Sequence, residues 1–156
     1  MAIQNIFVVG AGLMGSGIAQ NAITSGYTVT INDQRQEALD RAKAGIEKAL
    51  NRDVEKGRMA AEDRDAALAR LTLDSTLEGA RNADLVIEAI IEDLKAKQAV
   101  FASLEDICPE HTIFASNTSS ISLTALAAAT KRPSRVVGMH FFSPVPRMRL
   151  CEVIFG

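Results

Sequence analysis

The sequence predicts an α/β fold built on a doubly wound, mostly parallel sheet. Three observations carry this expectation. Short aliphatic runs alternate with longer segments of helical periodicity. The first such run ends in a glycine cluster that opens a helix, and a later run, Asp84-Leu85-Val86-Ile87-Glu88, is too uniformly apolar inside to have a solvated face. A chain of 156 residues suffices for one domain, read as spanning 1–156, with its own core.

Ile3 to Val9 is the first strand, stopped at Gly10. Leu13 to Ser25 follows with Ile18, Ala19, Ala22 and Ile23 on one helical face, and Gly26 ends it. Thr28 to Ile31 is β-branched and runs into Asn32-Asp33, so the first 33 residues read as one βαβ unit. From Gln36 to about Leu71 the composition turns rich in Ala, Glu, Lys and Arg. Leu39, Ala42, Ile46 and Leu50 keep helical spacing, Lys56-Gly57-Arg58 breaks it, and a second helix covers Ala60 to Leu71. This predicts a helical hairpin over about 36–71, long for a crossover and expected to project as an arm. Leu71 to Leu73 is a weak strand and Asp84 to Glu88 a strong one. Asp93 to Ile107 is a helix ended by Pro109, with Asp93 where the helix dipole favours an acid. Thr112 to Ala115 is a strand, Ser116 to Ser120 a polar loop, and Leu123 to Ala129 a helix. Val136 to Phe142 and Cys151 to Phe155 are the last strands, separated by Ser143-Pro144-Val145-Pro146.

Composition narrows the partners. Hydrophobic residues make up 47%, charged residues 23% and aromatics only 4%, so the core is expected to be aliphatic. A net charge of -2 gives no reason to expect nucleic acid or a membrane surface. No run approaches the roughly 18 apolar residues of a membrane span. Cys108 and Cys151 lack metal or redox spacing and read as buried reduced thiols, and no metal site is expected. The first residues show no secretory pattern, which makes the cytoplasm the expected compartment.

Gly10-Ala11-Gly12-Leu13-Met14-Gly15 matches GxGxxG in the right context, after a strand and opening a helix. Gly10 permits the tight turn, Gly12 lets backbone approach a pyrophosphate, and Gly15 lets helix and strand pack closely. The helix N-terminus, with Leu13 and Met14 in its first turn, offers free N–H groups to phosphates. Asp33, 18 residues after Gly15, can accept the adenosine ribose hydroxyls and repels a 2′-phosphate, which favours NAD over NADP. Arg35 beside it could instead accommodate that phosphate, and Asp33 alone could be a turn former. The pattern as a whole predicts a Rossmann-type NAD-binding domain.

His140 closes a strand at the edge where open α/β sheets place ligands, and an imidazole suits proton transfer near neutral pH. His111, the other histidine, precedes a strand and reads as structural or solvated. An isolated histidine at position 140 could equally be a satisfied core residue, but Glu152 near the start of the next strand can orient it and stabilise its charged form. Ser116-Asn117-Thr118-Ser119-Ser120 reads from its residues alone as a capping turn, and Glu92 and Lys97 as a solvated helix start. Lys48, Arg52 and Lys56 form a basic stripe at i, i+4 and i+8, the usual mark of a solvated face.

Gly10–Gly15, Val86-Ile-Glu-Ala-Ile-Ile-Glu92, Ser116-Asn-Thr-Ser-Ser120 and His140-Phe-Phe-Ser-Pro144 occur in this order, and together the chain resembles the N-terminal domain of the L-3-hydroxyacyl-CoA dehydrogenases over essentially its whole length. The resemblance implies an oxidoreductase of fatty acid and butanoate metabolism. It would transfer a hydride between NAD and the 3-position of an (S)-3-hydroxyacyl-CoA such as 3-hydroxybutyryl-CoA. It implies His140 and Glu152 as the catalytic pair and Ser119 as hydrogen-bonded to the 3-oxygen, with Asn117 supporting the site. Glu92, Lys97, Asn117 and Ser119 would meet cofactor, and Lys56 would meet CoA.

Three departures from the family pattern stand out. Ala49 replaces a serine that the family can offer to CoA. Ser143 replaces the asparagine of His-Phe-Phe-Asn-Pro, so its contact with NAD is expected to be weaker or water-mediated. Gly156 ends the sequence before the helical C-terminal domain that in the family completes the substrate site and most of the dimer interface. The sequence therefore reads as half of an enzyme, binding NAD but turning over slowly alone. A β-hydroxyacid dehydrogenase, which shares the Gly-Leu-Met-Gly turn but lacks His-Phe-Phe-x-Pro, is one alternative; a non-catalytic NAD-binding relative is the other.

Overall fold

The computed structural model describes residues 2–156. Its seven strands form one sheet: β1 (Asn5–Val9), β2 (Thr28–Asn32), β3 (Leu71–Asp74), β4 (Leu85–Glu88), β5 (Ile113–Ser116), β6 (Val136–Phe141) and β7 (Cys151–Phe155). The spatial order is β3-β2-β1-β4-β5-β6-β7. All pairings are parallel except β6–β7, which is antiparallel. The order reverses between β1 and β4, the switch point outside which open α/β sheets bind ligands.

Alternation along the buried strands divides the core between the two faces. Ile6, Val8, Leu85, Ile87 and Ala115 pack with α1 (Leu13–Thr24) and α2 (Gln36–Glu55). Phe7, Val9, Val86, Phe114 and Val136 pack with α4 (Leu94–Glu105) and α5 (Leu123–Ala127). Each fully buried Leu, Ile or Phe in these clusters contributes roughly 1.5–3 kcal/mol. Asp93 caps α4 by accepting the Ala96 N–H at 2.8 Å, and Ser122 caps α5 through the Ala125 N–H.

The hairpin is formed by α2 and α3 (Ala61–Ala69), turning at Gly57 with φ 72°. It is seated rather than projecting. Ala38, Leu39, Ala42, Ile46 and Leu50 are buried in the same cluster as α1, and Ala67 closes the end of the packing. The spacing of those apolar residues gives the hairpin a stripe that only α1 and the sheet can cover. Of the two cysteines, Cys108 is buried but Cys151 is only half-buried, because β7 is an edge strand with one neighbour. Burial pushes the Cys108 thiol up to about 11. No helix among the described residues is long and apolar enough to cross a membrane.

At the amino edge of the sheet, Asp84 accepts the Gln4 and Asn5 N–H groups, each at 2.9 Å, and lies 2.9 Å from His111 Nε2. These donors, the Asn5 N–H foremost, hold its carboxyl below its ordinary 3.8. A depressed carboxylate stabilises the fold above its unfolded pKa and ceases to as pH falls through its folded value. Asp84→Ala is therefore expected to cost about 1–2 kcal/mol at neutral pH and much less in acid. Urea titrations at neutral pH and below the Asp84 pKa check this; an equal cost at both would refute it.

Candidate functional site

The glycine turn divides into two glycines the fold requires and one it does not. Gly10 has φ 106°, and a Cβ on it would lie 2.6 Å from the Ala89 carbonyl oxygen. A Cβ on Gly15 would lie 1.7 Å from the Gly10 carbonyl oxygen, so α1 can begin against β1 only without a side chain there. Gly12 has an ordinary φ of -77°, and a Cβ on it would meet nothing within 4 Å. Nothing within the chain demands glycine at that position. Open space beside bare backbone at a helix start with no side-chain cap and no acid in its first turn is what a pyrophosphate needs.

Asp33 follows β2 and ties the turn together. Its Oδ2 accepts the Ala11 N–H at 3.2 Å and its Oδ1 the Arg35 N–H at 3.0 Å. A carboxylate has about four acceptor sites, so capacity remains for ribose hydroxyls. Beside it opens a cavity of about 520 Å³ whose walls include Thr76, Leu77, Ile90, Ile91 and Val100. An apolar slot with one carboxylate at its rim suits an adenosine. Thr76 and Leu77 follow β3, Ile90 and Ile91 follow β4, and Val100 lies on α4; sequence reading missed them because no local pattern joins them. The residues around the glycine turn thus fit a dinucleotide.

Beyond α1 a second cavity, of about 510 Å³, has Gly12, Leu13, Met14, Arg41, Ser143 and Pro144 in its walls. Ser143 reaches it because the β6–β7 loop folds back onto α1. Val145 is buried against Gly17, where a Cβ would come within 2.9 Å of Val145 Cβ, and Asn21 Nδ2 donates to the Val145 carbonyl at 3.1 Å.

His140 and Glu152 are direct partners in the antiparallel β6–β7 register, so their side chains leave the same face of the sheet. Nδ1 of His140 lies 3.9 Å from Oε2 of Glu152, close enough for an ion pair with a charged imidazole but too long for a hydrogen bond. The Phe142 ring meets the imidazole edge-on at 4.6 Å. Asn117, just after β5, accepts the Phe141 N–H on its Oδ1 at 3.0 Å and so anchors the backbone next to His140.

Ser119 stands on the loop after β5. Its Oγ lies 3.4 Å from Glu92 Oε2, to which its N–H also donates at 3.3 Å, while Thr118 Oγ1 donates to Glu92 Oε1 at 2.6 Å. Burial pulls the Glu92 carboxyl up, but the donors Thr118 and Ser119 and the Lys97 charge outweigh it and leave it below its usual value. Lys97 is itself 2% exposed, with Nζ 2.6 Å from Glu88 and 3.6 Å from Glu92. Its ammonium points into the domain, so it can act on a ligand only through Glu92.

The model of the domain described as "3-hydroxyacyl-CoA dehydrogenase, NAD binding domain" matches residues 5–156. The chain belongs to that family. It is an NAD-binding domain, 49% identical over its full length to a probable 3-hydroxybutyryl-CoA dehydrogenase of Bacillus subtilis, of which it covers 54%. It is 46% identical to the 3-hydroxyadipyl-CoA dehydrogenase of Escherichia coli, covering 99% of this chain and 32% of that protein. Among solved structures, the (S)-3-hydroxybutyryl-CoA dehydrogenase of Ralstonia eutropha superposes with a TM-score of 0.96 at 40% identity, covering 99% of this chain and 55% of that one. The chain thus spans about half the length of the Bacillus and Ralstonia relatives and a third of the Escherichia one.

Lys56, the remaining residue singled out from the family resemblance, follows the last turn of α2 and is exposed. A cleft of about 400 Å³ opens between α2 and the β6–β7 loop, with Ala49, Arg52, Arg58 and Arg147 in its walls but not Lys56. Arg147 was not legible as part of this cleft, because only the fold-back of the loop onto α1 brings it to α2.

Proposed function

We propose that this chain is the cofactor-binding part of an oxidoreductase acting at the 3-position of 3-hydroxyacyl-CoA thioesters, short-chain ones such as 3-hydroxybutyryl-CoA included. The observation that carries the proposal is the His140–Glu152 pair, register partners at the carboxyl edge of the sheet that holds the glycine turn. The names of the relatives support the substrate class.

Bound NAD supplies the hydride acceptor. The backbone from Gly10 through Leu13 and Met14 to Gly15 would hold its pyrophosphate and Asp33 its adenosine ribose, with Glu92, Asn117, Ser119 and Ser143 available to its other end. Glu152 faces Nδ1 of His140 at 3.9 Å, which leaves Nε2 to take the proton from the 3-hydroxyl. Glu152 then faces the imidazolium and stabilises it. Ser119 donates to the 3-oxygen. Arg58 and Arg147, in the walls of the cleft, and the exposed Lys56 meet the anionic end of CoA.

Met148, Leu150, Val153, Ile154 and Phe155 are exposed on and before β7. We read this apolar surface as the seat of the helical domain that the family carries, in a homodimeric enzyme. Two free thiols support a cytoplasmic setting.

The test is NADH oxidation by the whole protein carrying this chain, with acetoacetyl-CoA and free acetoacetate offered side by side. Turnover of the thioester alone is expected. Turnover of the free acid alone, or of neither, would sink the proposal.

A further inference from the structure

We propose that Glu88 is a positioning residue that fixes the Glu92–Ser119 corner and, through it, the nicotinamide end of the cofactor. This rests on the reading that the Glu92–Ser119 corner faces that end. Glu88 ends β4 and is fully buried after three aliphatic residues. A carboxylate so placed is costly unless every acceptor is used. Its Oε1 accepts from Ser116 Oγ at 2.5 Å, and its Oε2 from Lys97 Nζ at 2.6 Å and from the Ile90 N–H at 2.8 Å. Its carbonyl accepts the Asn117 N–H at 2.9 Å. One residue therefore joins the ends of β4 and β5 to α4.

The connection continues outward. Lys97, held by Glu88, stands 3.6 Å from Glu92, and Glu92 takes the Thr118 hydroxyl and both the N–H and hydroxyl of Ser119. Glu88, Lys97, Glu92 and Ser119 form a line from the core to the rim of the site. Stability is a weak explanation for the inner pair, since apolar replacements of buried ion pairs are often neutral or stabilising. Position is the stronger one. With Glu88 neutral, Lys97 has Glu92 as its remaining charged partner, and Glu92 is drawn off the serine loop. The adenosine slot, with Asp33, Ile90 and Val100 in its walls, contains none of Lys97, Glu92 or Ser119, and its link to the Glu88 carboxylate is the Ile90 N–H, which the amide oxygen of Glu88→Gln can still accept.

That separation supplies the experiment: binding of NADH and of ADP to the wild type and to Glu88→Gln by calorimetry, with NADH fluorescence as a second signal in a chain that has no Trp. The substitution is expected to weaken NADH about tenfold, as for the loss of one charge-assisted hydrogen bond, and to leave ADP within about twofold. Equal weakening of both ligands would mean a merely structural role, and no weakening of NADH would also overturn the proposal. A wild type that binds NADH no tighter than ADP would instead overturn the underlying reading of the corner, and the proposal with it. If Glu88→Gln does not fold, the charge-neutral double variant Glu88→Gln with Lys97→Met carries the same expectation and the same refutations, because Glu92, no longer drawn toward Lys97, is then left without the cation that Glu88 holds in place for it.

Discussion

Replacing His140 by Gln is expected to lower turnover of acetoacetyl-CoA in the whole protein by about 10²–10⁴-fold, the usual worth of a positioned general acid–base. NADH affinity should stay near the wild-type value, because the imidazole lies on β6 while the proposed phosphate site is at the start of α1. The glutamine keeps a comparable size and can still donate a hydrogen bond, so the loss isolates proton transfer. Glu152→Gln should cost less. That carboxylate is 54% exposed and 3.9 Å from the ring, so water can replace part of its effect. Steady-state NADH oxidation beside a direct NADH titration checks both variants. A His140→Gln enzyme with turnover near the wild type would remove the acid–base role.

The glycine turn provides the second large effect, as a contrast. Gly15→Ala forces a methyl group to within 1.7 Å of the Gly10 carbonyl oxygen, so the β1–α1 junction must open. Overpacking typically costs 1–3 kcal/mol, and a clash with rigid backbone is expected to cost about 3 kcal/mol or more. Gly12→Val meets no atom of the chain, and the backbone there suits any residue. It should unfold at nearly the wild-type urea concentration yet bind NAD about a hundredfold more weakly, its side chain standing where phosphate meets the helix N-terminus. Urea titration and calorimetry on the two variants decide. A Gly12→Val chain with unchanged NAD affinity would show that the pyrophosphate lies elsewhere.

Much of the fold was readable because its signals are local. The strand–glycine–helix–strand run up to Asp33 sits within a few dozen residues, and the apolar stripe of α2 repeats at a clear period. What escaped depends on distance. The adenosine slot gathers Thr76 from the segment after β3, Ile90 from the segment after β4 and Val100 from α4, and no sequence pattern links them. The hairpin was expected to project, since periodicity shows that Leu39 and Ile46 need cover but not that α1 supplies it. Lys97 resembled a solvated helix start until its ammonium was found against Glu88, 9 residues earlier. A signal was present: a carboxylate ending an otherwise aliphatic strand demands a buried cation.

The anchoring of Val145 on Gly17 and Asn21 carries a consequence for how the protein can evolve. The segment leaving His140 is stapled to the very helix whose first turn we assign to phosphate. Any drift of that helix carries the strand bearing His140 with it, so a change that moves the backbone there alters nucleotide affinity and reaction together, whereas a change confined to one side chain can alter either alone.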